Sequence, residues 1–544
     1  MNKRRTMIAI LSVIAIISAG WIGYLSIYKP VSGGNGHNRL AMTVFAPQGT
    51  APWEENLFTR WIENRFHVNL KWSLAPGNAL KEVRQMMLAG DEYPDVFLEG
   101  KFTSTELLVY GKQGVLIPLN ELIEKHAPNI RKMMETNEEF REALIAPDGN
   151  IYGIPRFNEC YHCNYAQKFW INRQWLDTLG LNVPQTTDEL FTVLKAFKER
   201  DPNGNGLQDE IPLTGAPEKN VWHGNIDAYL MNAFIYNDND KYLLLENGKV
   251  DFAANKPGWR SGLQYMHKLY KEGLIDPASF TQSAEALSQL GNREGDELAG
   301  SVTAAMVSYL VNPYDPALTR HLHWTVVPPL MGPEGVQYAG MTRGIGEFQF
   351  AITDKATPEM QKAAIRIADY TYSEEGSLYS EYGVLEGIGW KMADPDEKNI
   401  DGKPAKYSYY RLDEEEPDAV VNERWSLMGP KDLSKRFRDL FAEGQDPLSP
   451  TGYGRRLAQA TEIYQPYAPQ EVYPSGVYIL PDDVETIAVL NREIKEYVRL
   501  NMIEFIIGTK SIEDEWNDYV RGFHALNLSK YIEIYQKAIS FNSE

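Results

Sequence analysis

Phe169-Trp170-Ile171-Asn172-Arg173-Gln174-Trp175-Leu176-Asp177-Thr178-Leu179-Gly180-Leu181-Asn182-Val183-Pro184, then Thr187-Asp188-Glu189-Leu190, then Asp201-Pro202-Asn203-Gly204-Asn205-Gly206-Leu207-Gln208-Asp209-Glu210 form the stretch that decides the fold. Its middle part has apolar residues at helical spacing up to Arg200, and an unusually polar turn follows. In that turn Asp201, Asn203 and Asn205 alternate, so their oxygens can point inward together. Gly206 can turn the backbone, Leu207 can offer its carbonyl, and Asp209 with Glu210 can add carboxylates, a donor set suited to calcium. The spacing begins like an EF-hand loop. It ends differently, because Glu210 is tenth rather than twelfth and Ile211-Pro212 does not start a second helix. The alternative is an unmetallated Asx-rich turn whose side chains bond their own backbone.

Working outward, Met42 to Phe45 reads as an opening strand and residues 53–66 as a helix leading to residues 68–72. A helix over 79–89 then precedes a short buried strand at Asp95-Val96-Phe97-Leu98, which makes an αβ alternation. Asp148-Gly149-Asn150 is a turn into a strand over 151–154, limited by Pro155. Residues 394–418 are rich in charge, proline and glycine and read as an exposed excursion. Helical periodicity returns over 487–507 and 513–526.

The 169–184, 187–190 and 201–210 segments, with Asp148-Gly149-Asn150-Ile151-Tyr152-Gly153-Ile154-Pro155, resemble the extracellular solute-binding proteins of carbohydrate ABC importers, family 1. The branch is the lipoprotein-like one related to calcium-containing alginate-binding proteins. The resemblance implies an α/β, two-lobed, periplasmic-binding-protein-like fold with an interlobe ligand cleft, here behind an N-terminal membrane segment. It implies an oligosaccharide or glycan fragment as ligand and the transmembrane subunits of an ABC permease as partner. It also implies no catalysis. Residues 1–39 are expected to hold a cytoplasmic tip, an anchor or signal, and a linker. Residues 40–155 are the first part of lobe 1, 156–318 the first part of lobe 2, 319–385 the second part of lobe 1, and 386–544 the second part of lobe 2 with the C-terminal helices. Many relatives carry a lipidated cysteine after their signal, and this chain has none there.

Sugar recognition needs flat aromatic faces and polar groups around the hydroxyl edges. Trp222, Trp259, Tyr309 and Trp390 each lie near a Gly-rich or polar break where a side chain can escape the core, core packing being the alternative for each. Arg156, Asn158 and Glu159 follow the 148–155 segment and are read equally as cleft or as hinge. Arg343 and Glu347 form another polar pair beside glycines. For Cys160-Tyr161-His162-Cys163 three readings stand: a local disulfide, reduced packing residues, or a metal or redox site. His321 and His323 lack a third ligand that would identify zinc.

Lys3, Arg4 and Arg5 precede an uncharged run over residues 7–28, long enough as a helix to cross a bilayer. Ser18-Ala19-Gly20 offers the small residues of a cleavage site, but the apolar run continues past it, which favours a retained anchor over a cleaved signal. Either way the body lies on the extracytoplasmic face of the cell membrane. That body, over 40–544, carries 49 basic and 74 acidic side chains, a net charge of −25, which argues against a nucleic-acid groove. It also favours a neutral sugar over a polyanion. At 61.9 kDa the chain exceeds one core, and two cysteines cannot staple it. A monomeric body is expected. The competing readings are an extracellular polysaccharide hydrolase or lyase, for which no carboxylate pair is identifiable, and a membrane-anchored glycan sensor.

Overall fold

The computed structural model describes residues 39–315, 317–410, 422–426 and 428–543. The membrane segment expected over residues 7–28 lies outside them, and among the described residues no helix is long and apolar enough to cross a membrane.

In the first lobe, Leu40–Pro47 and Val68–Ala75 pair in parallel from Leu40↔Val68 to Pro47↔Ala75. Parallel neighbours need a crossover, and the helix Leu57–Phe66 supplies it. Asn56 starts that helix by accepting the Thr59 N–H, and His67 at φ 54° ends it. Val96–Phe97 joins in parallel, and Ala351–Ile352 closes the far edge antiparallel, so the sheet joins the first part of the chain to a strand about 250 residues further on. Phe45, Phe58, Phe97, Phe102 and Phe140 are fully buried in its core.

The second lobe is built on Phe169–Asn172, flanked antiparallel by Ser301–Thr303 and Trp324–Val327. Side chains alternate across this sheet: Phe169 and Ile171 enter one apolar cluster, while Trp170 enters another on the opposite face. The larger cluster continues into the helix Pro257–Lys271 and the C-terminal helices Val484–Ile507, Ile512–Ala525 and Leu528–Ser543.

The lobe boundaries differ from those expected. Trp324–Val327 belongs to the second-lobe sheet, so the chain returns to the first lobe near Phe348 and not at 319. Residues beyond 386 first extend the first lobe: Trp425 and Met428 lie in its core, and Trp390–Met392 pairs with Tyr407–Tyr409 over a satellite cluster of Leu378, Trp390, Tyr407, Leu433, Phe437 and Phe441. The second lobe resumes with the helix Tyr453–Glu462. Of the exposed excursion expected over residues 394–418, residues 411–418 lie outside the described residues; 394–406 are mostly exposed, and the stretch is anchored by Trp390–Met392 just before it and Tyr407–Tyr409 within it. The strand after the Asp148 turn also starts later than expected, at Arg156–Asn158, where it runs parallel to Lys431–Leu433, while Ile154 makes only a bridge to Phe350.

Candidate functional site

The chain leaves the first lobe through Arg156–Asn158, turns at 160–163 and enters the second lobe at Phe169–Asn172. Cavities of about 720 and 800 Å³ lie against this crossover, and Cys160 and Tyr161 border both.

The larger cavity has aromatic walls from both lobes. From the first-lobe extension comes Tyr409, 45% exposed, its ring stacked on Phe441 at 4.9 Å and 20°. Tyr382 packs beside it at 5.6 Å. From the second lobe comes Tyr314, 51% exposed and edge-on to the buried Tyr453 at 5.3 Å. Polar groups stand among these rings. Glu381 pairs with the buried Lys431 at 3.0 Å. Arg438 donates to the Leu433 carbonyl and, at 2.5 Å, to Asn158 Oδ1. Glu443 accepts the Arg455 N–H at 3.0 Å, and burial holds its carboxyl above the usual range. Ring faces beside charged and amide groups suit a flat, hydroxyl-bearing molecule.

The smaller cavity is polar and takes in four residues singled out from the sequence, Arg156, Asn158, Glu159 and Glu347. Arg156 pairs at 2.9 Å with Glu99, which is 1% exposed and whose carboxyl is raised by burial against the pull of that guanidinium. Glu159 accepts the Lys435 N–H at 2.8 Å, and Glu347 pairs with Lys81 at 2.7 Å. These engagements make the group a set of hinge contacts as much as a ligand surface. Arg343 stands apart, at a third cavity, where its carbonyl accepts the Ser475 N–H.

None of the four aromatic residues expected at the cleft lines either cavity. Trp259 is fully buried against Tyr242 in the second-lobe core, which removes it from any ligand surface. Trp390 is 7% exposed, its indole N–H bonded to the Gly383 carbonyl, and is likewise a packing residue. Trp222 is half-buried with its ring 6.3 Å from that of His162, behind the wall of the larger cavity, and Tyr309 is half-buried against the Trp170 cluster. No tryptophan lines either cavity among the described residues. Tyr409 and Tyr314 escaped the sequence reading. Tyr407 and Tyr409 share one face of their strand, where both rings meet Phe441, so strand alternation gave no signal separating the buried Tyr407 from the exposed Tyr409.

Of the three readings of the cysteine pair, the structure has the disulfide, Cys160–Cys163. It consumes both sulfurs that, with His162, would have formed a metal corner. His323 bonds Glu297 at 2.6 Å, while His321 is buried beneath Arg456, so the two histidines form no ligand pair.

The 201–210 loop is folded around its own oxygens. Asp201, at φ 47°, accepts N–H groups from Asn205 at 3.1 Å and Gly206 at 2.9 Å, and Gly204 and Gly206 take the positive φ that the turn needs. Asn205 Oδ1 accepts the Leu207 N–H at 2.7 Å. The Asn203 and Asn205 amides reach the Asp209 carboxylate at 3.2 to 3.4 Å. Glu210 is 9% exposed, and among the described residues neither of its carboxylate oxygens has a donor within hydrogen-bond geometry. Burial raises its carboxyl, and the charges of Asp201 and Asp209 add to that. A buried carboxylate without a donor, beside two more carboxylates, fits a hard divalent cation.

No family model matches the chain. It is 27% identical over 506 residues to the fructooligosaccharide ABC transporter substrate-binding protein FusA of Streptococcus pneumoniae, covering 91% of this chain and 89% of that protein. The structure of FusA in complex with kestose superposes with a TM-score of 0.73 at 25% identity, over 92% of this chain and 99% of FusA. An extracellular solute-binding protein from Bifidobacterium longum subsp. infantis has the same fold, with a TM-score of 0.76 at 20% identity over 94% and 100% of the chains. So has the alginate-binding protein AlgQ2, solved without calcium ion, with a TM-score of 0.62 at 22% identity over 93% and 98%. The likeness expected from the 148–210 segments therefore extends over nine-tenths of the chain, and the two-lobed fold is that of these binding proteins.

Proposed function

We propose that this chain is the extracytoplasmic receptor of an ABC importer, capturing an oligosaccharide between its lobes and presenting it to the permease. The observation that carries this reading is the roughly 800 Å³ cavity with one exposed tyrosine face on each lobe, Tyr409 and Tyr314. Ring faces on both sides gain contact as the lobes close, so closure and ligand binding stabilise each other. FusA, which binds kestose, makes a sugar the first class to test. The binding-protein relatives favour capture without conversion. Residues 7–28 would tether the body or direct its export.

Calcium is part of the proposal. Asp201, Asn203, Asn205, the Leu207 carbonyl, Asp209 and Glu210 would hold it. Bound there, it would offset two of the three carboxylate charges and fasten the loop to the segment leading into Ser301–Thr303 through Asn203, whose amide donates to the Glu297 carbonyl at 3.2 Å. A FusA variant described as an EF-hand mutant supports such a loop in a relative.

Calorimetry of the purified protein against kestose, galactotriose and trigalacturonate, with product analysis of the same mixtures, tests the reading. Stoichiometric binding with unchanged sugar is expected. Turnover would make the protein an enzyme, and silence across the panel would remove the sugar assignment.

A further inference from the structure

We propose that the Cys160–Cys163 disulfide and Lys168 are positioning residues for ligand capture, holding the crossover turn that presents Tyr161 and His162 to the tyrosine-lined cavity; this rests on the receptor reading above. The turn lies in one of the segments by which the chain passes between the lobes. It follows Arg156–Asn158, tied to the first-lobe extension by Lys431–Leu433, and precedes Phe169–Asn172 in the second-lobe sheet. Cys160 and Tyr161 border both cavities, while His162 borders only the tyrosine-lined one.

A disulfide across a sequence separation of three closes a very small ring. Loop-closure entropy grows with ring size, so this bond does little for the stability of a chain of this length. Its effect is local: it restricts the backbone of the two residues inside the ring, Tyr161 and His162. A second device acts from beneath. Lys168 is fully buried, and its ammonium donates to the carbonyls of His162, at 3.3 Å, and Tyr165. It pairs with no carboxylate among the described residues, and the Tyr464 ring lies 5.7 Å from it. A buried cation without an anion is expensive, so a methionine or leucine would serve packing better. What Lys168 supplies that they cannot is donors to the backbone of the turn.

The side chains so held reach in opposite directions. Tyr161 donates its hydroxyl to Asp439 Oδ1 at 2.8 Å, on the first-lobe extension. The His162 ring lies 6.3 Å from Trp222 of the second lobe, and its Nδ1 is buried with no partner among the described residues. Burial, then Lys168 and Arg438, lower the His162 imidazole to about 4. At neutral pH it is therefore uncharged, and with Nδ1 buried the other ring nitrogen, Nε2, is the one left to meet a sugar hydroxyl. Holding two such side chains in place before the ligand arrives removes an ordering cost from binding.

The test uses the full chain in three forms: oxidised wild type, wild type reduced with a phosphine, and C160S/C163S, with K168M as a fourth. Each is titrated calorimetrically with kestose, galactotriose and trigalacturonate, while melting, the calcium response and amide exchange over residues 160–168 are recorded. Two side chains to be ordered correspond to about a tenfold loss of affinity. We expect that loss in the reduced and variant forms, with faster exchange confined to 160–168 and with melting and calcium response retained. Equal affinity in all forms overturns the proposal and leaves the receptor reading intact. A loss of affinity that tracks a loss of melting temperature and calcium response also overturns it, because the bond would then serve the fold at large. If oxidised wild type binds none of the three sugars, the sugar-receptor reading fails and this proposal fails with it.

Discussion

Replacing Asp201 with alanine separates a calcium site from a self-bonded turn. In the structure Asp201 accepts two backbone N–H groups, from Asn205 and Gly206, so its loss has a cost even without metal. Two partly exposed hydrogen bonds to a carboxylate correspond to about 1–3 kcal/mol together, discounted for solvent. That cost appears in calcium-free buffer and says nothing about coordination. The informative quantity is the increment that calcium adds. At a free calcium concentration one hundred times Kd, a site present only in the folded state adds about 2.7 kcal/mol. For a lobe of 150–250 residues that is roughly a 5–10 °C rise in Tm. Differential scanning calorimetry with EGTA and with calcium should show this rise for wild type and none for D201A. An undiminished calcium increment in D201A, or no increment in wild type, would refute the assignment and leave the Asx-turn reading, in which Glu210 stays buried without a donor.

Three further outcomes follow from the same structure. Y409A and Y314A should each weaken sugar binding about tenfold by calorimetry, from the roughly 1–1.5 kcal/mol that one aromatic face contributes, with Tm little changed because both rings are half exposed. W259A should do the reverse, removing about 3–5 kcal/mol of stability in denaturant melts while the affinity of the refolded protein stays at the wild-type value. Burial lowers the Lys168 ammonium from its ordinary 10.5 to about 7, so between those values the unfolded chain keeps a proton that the folded chain has released. Stability therefore rises with pH across that window, by up to about 1.4 kcal/mol per unit, and K168M should flatten the rise when chemical unfolding is repeated from pH 7 to 10.

What the sequence disclosed depended on the range of the interactions involved. The 201–210 loop is set by contacts among ten successive residues, so its donor spacing could be read directly. The two lobes followed from chain size and from the likeness carried by the 148–210 segments. Their boundaries did not, because Trp324–Val327 and Ala351–Ile352 have similar composition and are allotted to different lobes by strands more than 150 residues away. The cleft aromatics failed for a related reason. A ring near a polar break was expected to face the ligand, and at Trp390 that logic found the right neighbourhood and the wrong ring. Trp390 packs edge-on against Tyr407, Tyr407 packs against Phe441, and Phe441 stacks under Tyr409. A half-exposed platform is held in one orientation by the rings behind it, and the ring at the far end of such a stack must bury its surface and find a partner for any N–H. Tryptophan with the Gly383 carbonyl meets that requirement, which leaves the exposed end to a tyrosine, whose hydroxyl bonds Tyr382 and can exchange that partner for a ligand hydroxyl.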